Sequence, residues 1–246
     1  VETHKTKGII LKTVKYGETS LIVTAYTELF GIQSYLVNGV RTFTKKGPGR
    51  ANLFQPPAIL DLLAYHNELK HLQRLKEFRW GYLYQQIFFS VLPNTVALFM
   101  VELLQKTLKQ PEPNPELFYF IEDAFIHLDQ SSEKVTANYP LFFSLHLAGL
   151  LGLLIRDDHS GQRSILDLRE GAFVNEPPDH QDILDEPYST ITSQLLRVRQ
   201  PKELEEFTLN QETRRTLLLA YQSFYALHTP DFGTMRTLPV LQTVLQ

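Results

Sequence analysis

The chain has 246 residues, of which 43% are hydrophobic and 21% charged, with a formal net charge of −3. That balance belongs to a globular chain able to bury a core, and it argues against wholesale disorder. With no cysteine, disulfides and thiolate metal sites are excluded, which fits a reducing compartment such as the cytoplasm.

Lys5, Lys7, Lys12 and Lys15 interrupt the early apolar residues, so no segment there reads as a signal peptide. Residues 7–16, 19–27 and 32–40 are short runs rich in Ile, Val, Thr and Tyr, and the pattern predicts three strands. Gly17 and Gly31 stand where the intervening turns need a permissive backbone. Residues 41–50 follow, with Arg41, Lys45, Lys46 and Arg50 around Phe43. Two glycines, a proline and no apolar period make this a basic loop. Residues 58–65 predict a fourth strand after Pro56 and Pro57. In the fifth segment, 68–78, Leu69, Leu72, Leu75 and Phe78 recur every three residues, a helical sign. The turn-like His66 and Asn67, and the four strands before it, favour a strand. Five strands in about 75 residues suggest a small closed barrel or sandwich, and the OB-fold, a barrel which binds oligonucleotides, is the natural candidate.

Beyond residue 80 the period changes. Residues 95–110, a segment capped by Asn114 with Pro115 inside it, residues 141–155 and a segment opened by Asn210 and Glu212 all predict helices. The uncharged stretches 80–101 and 135–155 are broken by Gln85, Gln86, Pro93, Asn138, Pro140 and His146. They predict buried core helices rather than membrane spans. Residues 156–188 carry Gly161, Gly171, Pro177, Pro178 and Pro187, and predict an irregular insertion with a short hairpin. The expected architecture is α+β and multidomain: a barrel over residues 1–80, then an all-helical domain over 81–246 with that insertion.

The charge divides in the same place. Residues 1–80 hold 12 basic against 6 acidic residues, and 81–246 hold 12 against 21. This is the pattern of a head that meets a polyanion and a body that does not. Catalytic signatures are absent: there is no phosphate-cradling glycine loop and no nucleophile elbow. Asp157, His159 and Ser160 lie too close in sequence to converge as a triad. Asp157, Asp158, His159, Asp179 and His180 read as solvated loop residues rather than metal ligands, because without cysteine the donor set is unusual for structural zinc. Glu122, Asp123 and His127 have a spacing common on ordinary helix surfaces. No enzyme and no cofactor is expected.

Nucleic acid is the better reading. Cations neutralise phosphates and release counterions, and aromatics stack on unpaired bases. Arg41, Lys45, Lys46 and Arg50, with Lys12, Lys15, Arg74, Arg79 and the rings of Phe43 and Tyr35, are the candidate contacts. Lys76, Tyr16 and Trp80 share the same expected barrel. The residues alone leave open a barrel that binds RNA in translation or RNA processing.

Gly8-Ile-Ile-Leu-Lys, Tyr16-Gly-Glu-Thr-Ser-Leu-Ile-Val, Thr27-Glu-Leu-Phe-Gly31 and Asn38-Gly-Val-Arg41 resemble the opening of the RecO family of bacterial DNA repair and recombination mediators. The likeness is tight over 8–41 and looser to about 80. Further on it rests on layout, with Gly161, Gly171 and Phe173 fitting the family spacing in the insertion. The resemblance implies an OB-fold joined to a helical domain that binds single- and double-stranded DNA and anneals complementary strands. It implies RecR and the single-strand binding protein as partners, the latter through its C-terminal tail, with RecA loading as the indirect result. Many relatives carry four cysteines in the insertion. This chain has none, so no zinc is carried over, and Phe173 and Leu168 are the expected packing anchors.

Overall fold

The computed structural model describes residues 2–42 and 50–245. Five strands close into a barrel: β1 (Thr3–Tyr16), β2 (Ser20–Thr27), β3 (Gly31–Val37), β4 (Ile59–Tyr65) and β5 (Leu72–Trp80). The order is β1-β2-β3-β5-β4, with β1 antiparallel to both β2 and β4 and β3 parallel to β5. This is the five-stranded barrel expected from the sequence.

Alternation sets the core. Leu21, Val23 and Ala25 of β2, Tyr35 and Val37 of β3, and Leu60, Leu62 and Ala64 of β4 are buried, while Ile22, Thr24, Leu36, Asp61 and Leu63 between them are more exposed. The three-residue spacing in the fifth segment has a local cause. Leu63 pairs with Glu77 but Ala64 pairs with Leu75, so Lys76 is an extra residue, a bulge. The bulge resets the phase, and both Leu75 and Phe78 align with the buried residues of β4. Leu69, at 94% exposure, belongs to the turn and not to this pattern.

By internal packing the chain divides into two compact units. One comprises Val1–Gln85 and Leu108–Ile126, the other Gln86–Thr107 and His127–Gln246. The first therefore adds to the barrel a segment that the sequence assigns to the helical body. Phe118 of α2 (Pro115–Gln130) packs on Tyr26 with ring centroids 5.8 Å apart, and Lys7 Nζ donates to Glu122 at 2.8 Å. Tyr119 hydrogen-bonds Glu28. The approach to α2 runs against the β2–β3 turn, where Ile32 N donates to Gln110 O and Gly31 faces the Glu112 backbone.

The second unit contains α1 (Val91–Thr107), α3 (Glu133–Leu150), α4 (Tyr188–Arg197), α5 (Gln211–His228) and α6 (Thr237–Val244). The central α3 begins earlier than its apolar stretch suggests. Ser132 caps it, its Oγ accepting from Val135 N at 3.2 Å, and the helix continues through Pro140. It is buried nearly all round, as Leu141, Phe142, Phe143 and Leu145 illustrate. The insertion forms a small sheet, β7-β6-β8, from β6 (Ile165–Asp167), β7 (Ala172–Val174) and β8 (Ile183–Leu184). Leu168 and Phe173 are buried in it, at 3% and 2% exposure. Among the described residues no helix is long and apolar enough to cross a membrane.

Candidate nucleic-acid interface

The barrel register lays out one continuous outer face. Val14 pairs with Ile22, Ile22 with Leu36 and Leu36 with Arg74, giving one row across β1, β2, β3 and β5. The next row runs Lys12, Thr24, Ser34 and Leu72. Strands about 4.8 Å apart make this face roughly 14 Å across. Val14 is 47% exposed and Tyr16, at the end of β1, 53%. Two sequence-predicted cations, Lys12 and Arg74, thus share one face with exposed apolar and aromatic side chains. Neither has a side-chain ion pair or hydrogen bond among the described residues.

Lys15 lies an odd number of residues from Lys12 and leaves β1 on the opposite side. It and Arg41 line a recess of about 280 Å³ at the barrel mouth, whose floor includes Leu21 and Phe54. Arg41 is held there by its Nη1, which donates to Gly17 O at 3.0 Å, and by its backbone N–H on Thr19 O. Phe43, Lys45 and Lys46 lie outside the described residues, but Arg41 and Arg50 bracket them.

The other expected contacts are already engaged. Arg50 Nη2 donates to Phe78 O at 2.7 Å and its guanidinium sits 4.2 Å from the centre of the Phe78 ring. Phe78 in turn packs on the buried Phe54. Arg79 pairs with Asp61 at 3.1 Å on a face that also carries Lys5, Lys7, Glu28 and Glu77, so opposite charges largely cancel there. Tyr35 is a correction. It is 1% exposed inside the barrel, its burial raises the phenol pKa, and its ring cannot stack on a base. Trp80 likewise pairs opposite Leu60 on the inward phase of β5.

Val14, Ile22 and Leu36 were not legible as site residues, since alternation marks them only once the register is known. Lys70 was missed for another reason: its turn interrupts the strand pattern. It and Arg74 flank a recess of about 530 Å³ with Tyr65, Leu36 and Leu72.

In the insertion, the side chains that suggested a relay or a metal bind one another's neighbours instead. Asp157 accepts from Ser193 Oγ and Arg197 Nε, both at 2.6 Å. His159 Nε2 lies 3.1 Å from both Glu186 and Thr190, and Ser160 Oγ accepts from Arg163 N. Among the described residues no group of three or more His, Asp or Glu could hold a metal ion. Glu122 is taken by Lys7.

A family model described as "Recombination protein O N terminal" matches residues 1–83, and one described as "Recombination protein O C terminal" matches 91–235. Among curated proteins, one from Bacteroides fragilis is 31% identical over 242 residues, covering 97% of this chain and 98% of its own length. Others from Phocaeicola vulgatus and Christiangramia forsetii are 28% and 30% identical, each covering 97% of this chain and 98% of its own length. All three are named DNA repair protein RecO.

Proposed function

Because the chain belongs to the recombination protein O family, we propose that it is a non-catalytic mediator of DNA repair and homologous recombination acting in the cytoplasm. Its barrel binds single- and double-stranded DNA and anneals complementary strands. With RecR it helps RecA load onto DNA coated by single-strand binding protein. The observation that carries the DNA-binding step is the outer face of β1, β2, β3 and β5, where Lys12 and Arg74, with no side-chain partner among the described residues, share one surface with exposed Val14 and Tyr16.

Such a face suits a flexible polyanion. Cations release counterions from the backbone, while apolar and aromatic side chains receive unpaired bases. Neutralising two coated strands on one protein lowers their mutual repulsion, which is the physical requirement of annealing. Lys15 and Arg41 at the barrel mouth add further positive charge to the barrel.

Fluorescence anisotropy across a salt series tests the reading. The triple variant K12A/K15A/R41A is expected to weaken single-stranded DNA binding and to reduce the slope of log K against log salt by roughly 2, about 0.7 per lost phosphate contact. An unchanged slope would remove these residues from the interface. Tighter binding to matched RNA than to DNA would favour the RNA-module alternative, and a strand-annealing assay separates a mediator from a passive binder.

A further inference from the structure

The β4–β5 turn is built more carefully than a solvated connection requires. Gln73 is 4% exposed, and its side chain works entirely on the turn. Its Nε2 donates to Asn67 O at 2.8 Å and Lys70 O at 2.6 Å, and its Oε1 accepts from Asn67 N at 3.0 Å. Asn67 Oδ1 also accepts from Leu69 N at 2.9 Å. These bonds fix the turn beside a recess of about 530 Å³, a size typical of small-ligand sites. Its walls are the apolar Leu36 and Leu72 and the ring of Tyr65, and Lys70 and Arg74 stand at its edge. Both cations are exposed, and neither side chain has a partner among the described residues.

We propose that this recess is a base-binding subsite for single-stranded DNA, in which Tyr65 and the two leucines receive one unpaired base while Lys70 and Arg74 hold the flanking phosphates. The subsite rests on the DNA-binding reading above and deepens it. Apolar walls beside exposed positive charge match a nucleotide, which is flat and apolar at one end and anionic at the other. In a duplex the base is already paired and stacked, so the recess engages only the single strand. The braced turn means little ordering is needed on binding. Arg74 also belongs to the outer face, so the recess continues the track from Lys12.

The test compares oligo(dT) with a duplex of equal length by anisotropy. K70A and Y65L are each expected to weaken single-strand binding by roughly fivefold or more, and duplex binding by less than about twofold. Equal losses on both DNAs would overturn the subsite and leave plain phosphate contacts. A wild-type protein that binds DNA, with variants matching it, overturns the subsite alone. A wild-type protein that binds neither DNA overturns the DNA-binding reading as well. Should the variants unfold, photo-crosslinking of wild-type protein to oligo(dT) bearing 5-iodouracil decides the matter. Crosslinks at Tyr65 are expected, and crosslinks confined to other residues would refute the proposal.

Discussion

A methyl group at position 31 would stand 2.3 Å from the Glu112 carbonyl oxygen, and the backbone there has φ +59°. Gly31→Ala therefore meets two penalties, a left-handed backbone and a collision with main chain that has no flexible end to yield. It is expected to lower stability by roughly 2–4 kcal/mol in denaturant unfolding. Gly17→Ala, at φ +55° but with open space around it, is expected to cost only about 1–2 kcal/mol. Equal losses would mean that the segment around Glu112 gives way. Both glycines are legible in the sequence as turn residues. That Gly31 is also packed by a residue far along the chain is not, because a long-range approach leaves no local signal. The cations pose the same problem. Arg41 and Arg50 look alike in composition, yet Arg50 is folded onto Phe78. Arg50→Ala is expected to cost roughly 0.5–1 kcal/mol of stability through lost stacking while leaving the salt slope of DNA binding nearly unchanged.

At the scale of elements, β5 is where local pattern and fold diverge. Its three-residue spacing imitates a helix because a bulge at Lys76 breaks the two-residue alternation, and a bulge is visible only against a partner strand. Deleting Lys76 should leave Leu75 and Phe78 both aligned with Ala64 and Leu62. Deleting Arg79 should instead turn Trp80 out of phase. The first variant is expected to melt cooperatively, with emission from the sole tryptophan unchanged, and the second to show red-shifted emission. The insertion offers a pH test. Burial alone pushes the Asp157 carboxyl up, but Arg197 and Ser193 pull it down further, leaving it below the ordinary carboxylate range. A depressed pKa contributes stability that is present above the unfolded value near 3.9 and is lost as pH falls through the folded value. Asp157→Asn is expected to cost about 1 kcal/mol at pH 7, and the difference from wild type in urea midpoint should shrink toward pH 3. A difference that stays constant with pH would show that the interaction with α4 does not depend on the carboxylate charge.

For the whole molecule, the change near residue 80 in charge and in hydrophobic period is the most legible feature, and the five strand-like runs before it mark out the barrel. Counting by packed unit softens the contrast. The barrel's unit has 13 basic against 10 acidic residues, because Glu112, Glu116, Glu122 and Asp123 come with it, and the other has 11 against 17. Sequence order could not show this, since residues 108–126 return to the barrel after α1 has left it. The head is therefore only mildly basic overall, and its attraction for DNA must come from where the cations lie rather than from their sum. The acidic unit should then act at a distance, through a field that discourages DNA from settling on it. Glu176, Glu206 and Glu212 are exposed in that unit and suit a test. Replacing all three with Gln is expected to tighten single-stranded DNA binding roughly two- to threefold near 20–50 mM salt, where charges are felt beyond about 10 Å, and to have no effect near 0.3 M. A gain that persists at high salt would mean that these carboxylates lie within the interface itself, and DNA would then have to contact the helical unit as well as the barrel.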